Sequence, residues 1–389
     1  MSYLVYLNHY DIRQCKAQYL SVLYEILGKK LDAYFLLNED YIQKYDKGKR
    51  WEVKWLEENW GNYEEVVSSL KPNNYSIMDR AEKLTLNEYF SMEPQCPSQI
   101  LYNVVNNEYI PEEMEAITEA LQKEGNNIKA GITWVNNACL KETLREFCIP
   151  TIHHELGPLR PSTYIPTAYL DFSGVNGNTE FDRRFKEFLK IANEVPILSR
   201  GKLLRVVSPE HYMELYKILY EDRREYEIGV GLQVEVDTNL LLFNRGCNWV
   251  DPILEARAEA KGKVLVRPHP SAGYLMKKDA KLDIDDLKGN AVSFINKCNK
   301  IYCLNSSVGF EAMLLGREAK IFGDSPFRSM CRMDEDKKLK ALNFAIFGYL
   351  IHRNLLFDDS YYKFRLAHRG DEKTIYLDNV KRLLKNIKL

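Results

Sequence analysis

The 389-residue chain carries 54 Lys and Arg against 55 Asp and Glu, a net charge of −1, so no global basic field points to nucleic acid. Its length exceeds what one hydrophobic core supports, and two domains are expected. The eight cysteines form no C-x-x-C and no zinc-ligand spacing, the usage of a reduced cytoplasmic protein, with Cys148 and Cys303 read as small core residues.

In chain order, Met1–Leu7 lacks a basic segment before its apolar run, so it reads as a first strand (residues 3–7) and not as a signal peptide. An amphipathic helix is expected over Lys16–Leu27, a strand over Asp32–Leu37 and a helix over Trp51–Leu70. Residues 72–100 read as irregular around Pro72, Pro94 and Pro97. Pro111-Glu112-Glu113 opens a helix, with proline in the first turn and acids beside it. Ile128–Val135 is a predicted strand, Lys141–Phe147 a helix and Pro150–His154 a strand. This alternation predicts a parallel, doubly wound sheet.

Residues Glu155–Asn178 are rich in Gly and Pro and read as one long functional loop. Helices are expected over Phe181–Ala192 and Pro209–Tyr220, with the domain change near Val195-Pro196. A second alternation follows: a strand Gly229–Val236 ending at Asp237, a helix Pro252–Ala260, strands 264–266 and 300–304, a helix 310–315 and a strand Lys320–Phe322. The domains are thus 1–195 and 196–340, and 341–389 is a helical tail expected to pack back on the first. In that tail Leu377, Val380, Leu383, Leu384 and Ile387 recur at helical spacing among basic residues, a packed terminal helix with membrane-surface contact as the lesser alternative. The most apolar stretch, Ala341–Ile351, is too short to span a bilayer.

The strongest constellation pairs two strand ends. The run Val264-Leu265-Val266 ends in Arg267-Pro268-His269-Pro270, and Lys300–Leu304 ends in Asn305-Ser306-Ser307, followed by Val308-Gly309-Phe310-Glu311. Ligands of open α/β sheets bind at such ends. Ser306 or Ser307 as a helix N-cap, with free backbone N–H groups, is a candidate phosphate site, and His269 a further donor. Glu311 is a candidate acceptor for ribose hydroxyls. There is neither a P-loop nor a G-x-G-x-x-G after the first strand.

Period two places Gln233, Glu235 and Asp237 on one side of a strand. Asp237 is then a candidate nucleophile or general base, or else part of a turn with Thr238-Asn239. In Glu155-x-Gly157-x-x-Arg160, Gly157 is read as allowing a sharp turn, Glu155 as a base and Arg160 as an anion holder; the alternative is a local Glu–Arg pair bracing the loop. Asp171 with Gly174-Val175-Asn176 reads as cleft wall or as a turn. Asn8, His9, Trp134 and Asn136 are candidates for sugar contact, although caps and turns explain them nearly as well. His153 and His154 read as core or supporting residues, and Asp283-x-Asp285 as exposed surface, not a metal site.

Taken in chain order, Glu155-x-Gly157-x-x-Arg160, Asp171-x-x-Gly174-Val175-Asn176, Gln233-x-x-x-Asp237, Arg267-Pro268-His269-Pro270 and Ser306-Ser307-x-Gly309-Phe310-Glu311-Ala312 resemble the capsule-polysaccharide-synthesis family of bacterial retaining β-Kdo glycosyltransferases, nearest to the Kdo-transferase domain of O-antigen chain-terminating enzymes. The resemblance runs from about 130 to 325, and its His-Pro and Ser-Ser elements are shared with bacterial sialyltransferases. It implies α/β GT-B architecture, two Rossmann-like domains with a cleft between them. It implies a CMP-sugar donor, a glycan or lipid-linked glycan acceptor and no cofactor or metal. Carried over, His269, Ser306 and Ser307 hold the CMP phosphate and Glu311 the ribose, with Gln233, Arg267, Asn305 and Arg160 around the donor. Asp237 becomes the candidate nucleophile and Glu155 the candidate acid/base. The motif here reads Glu-Leu-Gly-Pro-Leu-Arg, where capsule-initiating relatives differ slightly, so the acceptor is left open. The implied place is the cytoplasm, at the inner face of the membrane for a lipid-linked acceptor. A sialyltransferase and a non-catalytic polysaccharide-binding protein are the alternatives.

Overall fold

The computed structural model describes residues 2–7, 19–38, 41–42, 65, 68–71, 74–77, 110–221, 224–234, 238–270 and 278–385. Most of the predicted 51–70 helix and of the irregular 72–100 region lies outside these residues. Two compact units form. The first is Met1–Glu155 with Asp171–Gly174 and Asn354–Phe364; the second is Leu156–Leu170, Val175–Arg353 and Arg365–Leu389. The division drawn at 195/196 from the sequence falls inside the second unit, and only 354–364 of the tail belongs with the first.

The first unit is built on parallel strands β1 (Ser2–Tyr6), β2 (Ala33–Leu37), β3 (Tyr75–Ile77), β4 (Ile128–Trp134) and β5 (Thr151–Leu156), ordered β5-β4-β1-β2-β3. The runs Ser-Tyr-Leu-Val-Tyr and Ala-Tyr-Phe-Leu-Leu are near-continuously apolar because central parallel strands are buried on both faces. On one face Leu4, Tyr6, Tyr34 and Leu36 pack with Ile117 and Leu121 of helix Pro111–Glu124 and with Leu140 and Leu144 of helix Ala138–Glu146. The first helix has Pro in its first turn, as its sequence predicts. Its Glu113, however, turns inward and accepts hydrogen bonds from Tyr6 Oη and Asn137 Nδ2. The second helix ends in a left-handed Cys148 at φ 56°, which leaves this thiol exposed and not in the core.

In the second unit, β6 (Thr167–Asp171) pairs antiparallel with β12 (Leu350–His352), so the segment read as one long loop contains a strand. Its main sheet is parallel: β7 (Tyr226–Gly231), β8 (Val264–Arg267), β9 (Leu282–Ile284), β10 (Cys298–Cys303) and β11 (Glu318–Ile321), in the order β11-β10-β7-β8-β9. One face packs Val230, Val264, Val266 and Tyr302 on Ile253 and Ala256 of helix Asp251–Glu259. The other receives helix Val308–Leu314, buried over its whole length, whose Gly309 has Cys303 and Ile321 so close that a Cβ would meet them at 3.0–3.1 Å.

Strand β7 stops at Gly231, not at Val236, and residues 238–242 form a helical turn. The terminal helix Glu372–Leu384 packs through Ile375, Tyr376 and Val380 within this unit. Leu377 of the predicted apolar stripe points outward, 38% exposed, and Ile387 lies outside the described residues. Among the described residues no helix is long and apolar enough to cross a membrane.

Candidate functional site

Because β10, β7 and β8 are parallel neighbours, their carboxyl ends share one edge of the second unit's sheet. The His269 segment follows β8 and the Asn305-Ser306-Ser307 segment follows β10. These two strands are not neighbours in the sheet. β7 lies between them, so the two strand ends are about 10 Å apart at the usual strand spacing. The turn after β7 fills that interval with Gln233.

Gln233 and Asn305 are bonded to each other. Gln233 Nε2 donates to Asn305 Oδ1 at 2.9 Å, and the Asn305 backbone N–H donates to Gln233 Oε1 at 3.2 Å. Asn305 Nδ2 donates to the carbonyl of Asn239 at 2.7 Å, and Asn176 Nδ2 donates to Asn239 Oδ1. Asn176 reaches this position from a left-handed backbone, φ 66°. These amides, two of them expected to face the donor, thus serve to clamp the turns after β7 and β10 together. The bonds tie down Gln233 and Asn239, which flank Asp237 in the sequence.

At the start of the next helix Ser306 Oγ accepts from Val308 N at 3.4 Å. Ser307 is the N-cap residue by position, yet its side chain makes no capping bond, which leaves its hydroxyl to Glu311 one turn on. Glu311 is 7% exposed. Burial raises its carboxyl to about 7, partly offset by the charge of Arg160, by Tyr164 and Ser307, and by Arg267. Tyr164, 6% exposed, holds its hydroxyl beside Glu311 without a hydrogen-bond partner of good geometry. The structure therefore joins four groups near the end of β10: Ser307, Glu311, Arg160 and Tyr164. Tyr164 carries no sequence signal of its own, since it sits in an irregular Pro-Ser-Thr-Tyr stretch.

Other candidates resolve differently. Arg267 donates to Asp285 and, at 2.8 Å, to the carbonyl of Gly289. Lys297 donates to the other Asp285 oxygen at 2.9 Å. Asp285 is buried, which corrects its reading as exposed surface, and Arg267 is braced at the sheet edge, its guanidinium already engaged. Arg160 Nε donates to Gly157 O at 3.2 Å, and its charge bears on Glu311. Gly157 is needed for close approach and not for a sharp turn: a Cβ there would lie 2.3 Å from Thr167 Oγ1.

In the first unit Glu155 sits half-buried near the end of β5. Asp171 accepts from the backbone N–H groups of Ser173 at 2.7 Å and Gly174 at 3.2 Å, which makes it the turn residue of its two readings. Trp134 ends β4 half-buried and Asn136 follows, while Asn137 caps the next helix by accepting from Leu140 N. His153 is buried and pushed down to about 3 by desolvation, and His154 Nε2 bonds Tyr362 Oη at 2.6 Å; both support the fold. Asn8, His9, Glu235 and Asp237 lie outside the described residues.

The description "Glycosyltransferase 99 family N-terminal domain" matches residues 5–180, and "Capsule polysaccharide biosynthesis protein" matches residues 207–343. No curated protein matches. Among solved structures, the beta Kdo 2,7 transferase of KpsC from Thermosulfurimonas dismutans is 18% identical over 65% of this chain and 89% of its own, with a TM-score of 0.42. The beta Kdo 2,4 transferase of the same protein is 17% identical over 64% and 92%, with a TM-score of 0.40. UDP-GlcNAc 2-epimerase from Methanocaldococcus jannaschii is 12% identical over 88% and 92%, with a TM-score of 0.31. With one family description over the first unit's strands and the other over the sheet that carries His269, Ser306, Ser307 and Glu311, the chain belongs to the glycosyltransferases of capsule polysaccharide synthesis.

Proposed function

We propose that this glycosyltransferase moves Kdo from CMP-β-Kdo to a saccharide acceptor with retention, in the assembly of a bacterial capsule or O antigen. The observation that carries the reading is the buried Glu311 beside Ser307, Tyr164 and Arg160 at the end of β10. A carboxylate held next to hydroxyls and a guanidinium suits a ribose and its phosphate. His269 and Ser306 add donors along the same sheet edge. Such preorganised donors stabilise the charge that develops on a departing CMP.

In the proposed two-step route the Asp237 carboxylate attacks the anomeric carbon. The C–O bond to CMP breaks, and CMP leaves with the bonding pair on its phosphate. An acceptor hydroxyl then displaces Asp237 from the same carbon, giving up its proton to Glu155. Two inversions leave the configuration unchanged. No metal or cofactor takes part in this scheme. CMP-sugars are cytoplasmic metabolites, so the reaction is placed in the cytoplasm, at the inner face of the membrane when the acceptor is lipid-linked. Trp134 and Asn136, with Asn8 and His9, are proposed for acceptor contact.

The test is mass spectrometry of the protein with CMP-Kdo generated in situ and synthetic glycan acceptors. A gain of one Kdo on an acceptor, lost in His269→Ala, supports transfer. A Kdo adduct on the protein that Asp237→Ala abolishes supports the covalent route, and full transfer by that variant defeats it. The His-Pro and Ser-Ser elements also suit sialyl transfer, so transfer from CMP-sialic acid alone would replace the donor proposed here. Absence of CMP release with any donor would leave a polysaccharide-binding protein.

A further inference from the structure

A cleft of about 470 Å³ runs along the edge strand β11. It lies at the open edge of the sheet and takes its lining from both faces. Tyr302 and Phe322, which line it, pack with the cluster that includes Ile253 and Ala256, and Ile321, which also lines it, approaches Gly309 on the other face. The site at Ser307 and Glu311 does not share its polar lining.

The charge around this cleft is uneven. Three of its cations are matched: Arg245 with Asp324 at 2.9 Å, Lys300 with Glu318 at 3.4 Å and Lys320 with Glu255. Two are not. Arg328 spends only Nε, on the carbonyl of Ile321 at 3.3 Å, and neither Arg328 nor Arg332 forms an ion pair among the described residues. Both belong to the turn Arg328–Arg332 that forms one wall. Tyr302 and Phe322 stand 5.8 Å apart, with Lys320 Nζ over both rings at 5.3 and 5.4 Å. A guanidinium presents a planar fork that pairs bidentately with carboxylate or phosphate.

We propose that this cleft binds a carboxylate-bearing glycan, with Arg328 and Arg332 pairing its acid groups. It would hold a segment of acidic polymer away from the donor site. Phosphate groups share the recognition chemistry, and the experiment separates the two. Calorimetry of the full chain, with CMP saturating, would use an acidic trisaccharide of Kdo, its carboxyl-reduced neutral form and inorganic phosphate as probes. Binding of the acidic trisaccharide is expected to fall at least tenfold in Arg332→Glu and severalfold in Arg332→Ala, and to weaken between 50 and 300 mM salt. Arg328→Ala is a second probe, and Arg332→Ala, on the exposed side, covers the case in which it fails to fold.

CMP affinity measured separately is expected to be unchanged in these variants. If the chain binds no CMP at all, the donor reading fails while the cleft result stands. Equal binding of the neutral form, affinity within twofold of wild type in both Arg332 variants, displacement by CMP, or displacement by equimolar phosphate would each overturn the proposal.

Discussion

Gln233 and Asn305 share two hydrogen bonds, side chain to side chain at 2.9 Å and backbone to side chain at 3.2 Å, and so fasten the turns after β7 and β10. The arrangement has a direction. Gln233 must donate through nitrogen because Asn305 Nδ2 is already committed to the Asn239 carbonyl. In Gln233→Glu a carboxylate oxygen would face Asn305 Oδ1, and flipping Asn305 would set that oxygen against the Asn239 carbonyl instead. The expected cost is about 1–2 kcal/mol, larger than for Gln233→Ala, because an acceptor is set against an acceptor. Urea unfolding midpoints check it. A Gln233→Glu protein as stable as wild type would mean that the clamp is not formed.

The amide clamp also shows where sequence reading ends. β1, β2, β8 and β10 were legible because buried parallel strands leave continuous apolar runs, and Pro111 marked its helix by a local backbone rule. β7 was overextended because the alternation in Gly229–Val236 looks like strand, although pairing with β8 and β10 stops at Gly231. β6 was hidden by Gly and Pro on both sides. Asp285 looked like surface because its neighbours are charged, and only Arg267 and Lys297, brought in by the fold, make its burial tolerable. His269, Ser306, Ser307 and Glu311 were singled out because they lie just after strand ends. Tyr164 was missed because only the tertiary fold brings it to Glu311.

Glu311 gives a pH signature with a definite sign. Burial raises its folded-state carboxyl from the ordinary 4.5 to about 7, so the folded chain holds this proton where the unfolded chain has lost it. The resulting stability is complete below about 4.5 and is lost as pH rises through about 7. The effect is at most about 3 kcal/mol. Glu311→Gln removes it. The stability of the variant relative to wild type should therefore increase from pH 5 to pH 7.5, and the difference between the two urea-unfolding curves isolates this group. A constant difference across that range would show that the carboxyl titrates as an ordinary one.

Gly157 is held by contact and not by dihedral angle. Its N–H donates to Thr167 O at 2.9 Å, and a Cβ would come within 2.8 Å of the Thr167 carbonyl carbon as well as 2.3 Å of its hydroxyl. Gly157→Ala must push the 157–160 segment off β6, at about 1–3 kcal/mol. Because Arg160 leaves from this segment, the charge it places on Glu311 should weaken too. Adding Thr167→Ala removes the clash with the hydroxyl but not the one with the backbone. The double variant should thus recover only part of the loss in thermal unfolding. Full recovery would assign the cost to the hydroxyl alone.

Arg184 and Glu372 form a buried bidentate pair, with Nε and Nη2 donating at 2.9 and 2.8 Å and both side chains 3% exposed. Nη2 also donates to Gly348 O at 2.7 Å, and the guanidinium lies 5.7 Å from the centroid of Phe344 and 5.9 Å from that of Tyr349. The pair locks the terminal helix to helix Phe181–Ile191 within an aromatic cluster of Phe181, Phe185, Phe188 and Phe344. Two charges taken out of water recover little net energy, whereas one left alone is costly. Glu372→Ala should lose about 3–5 kcal/mol, and Arg184→Met with Glu372→Leu should fall near wild type or above it. Urea unfolding of the single and double variants decides the matter. If the double variant is as unstable as the single, the ion pair is a net source of stability here and not mainly a means of fixing how the terminal helix docks.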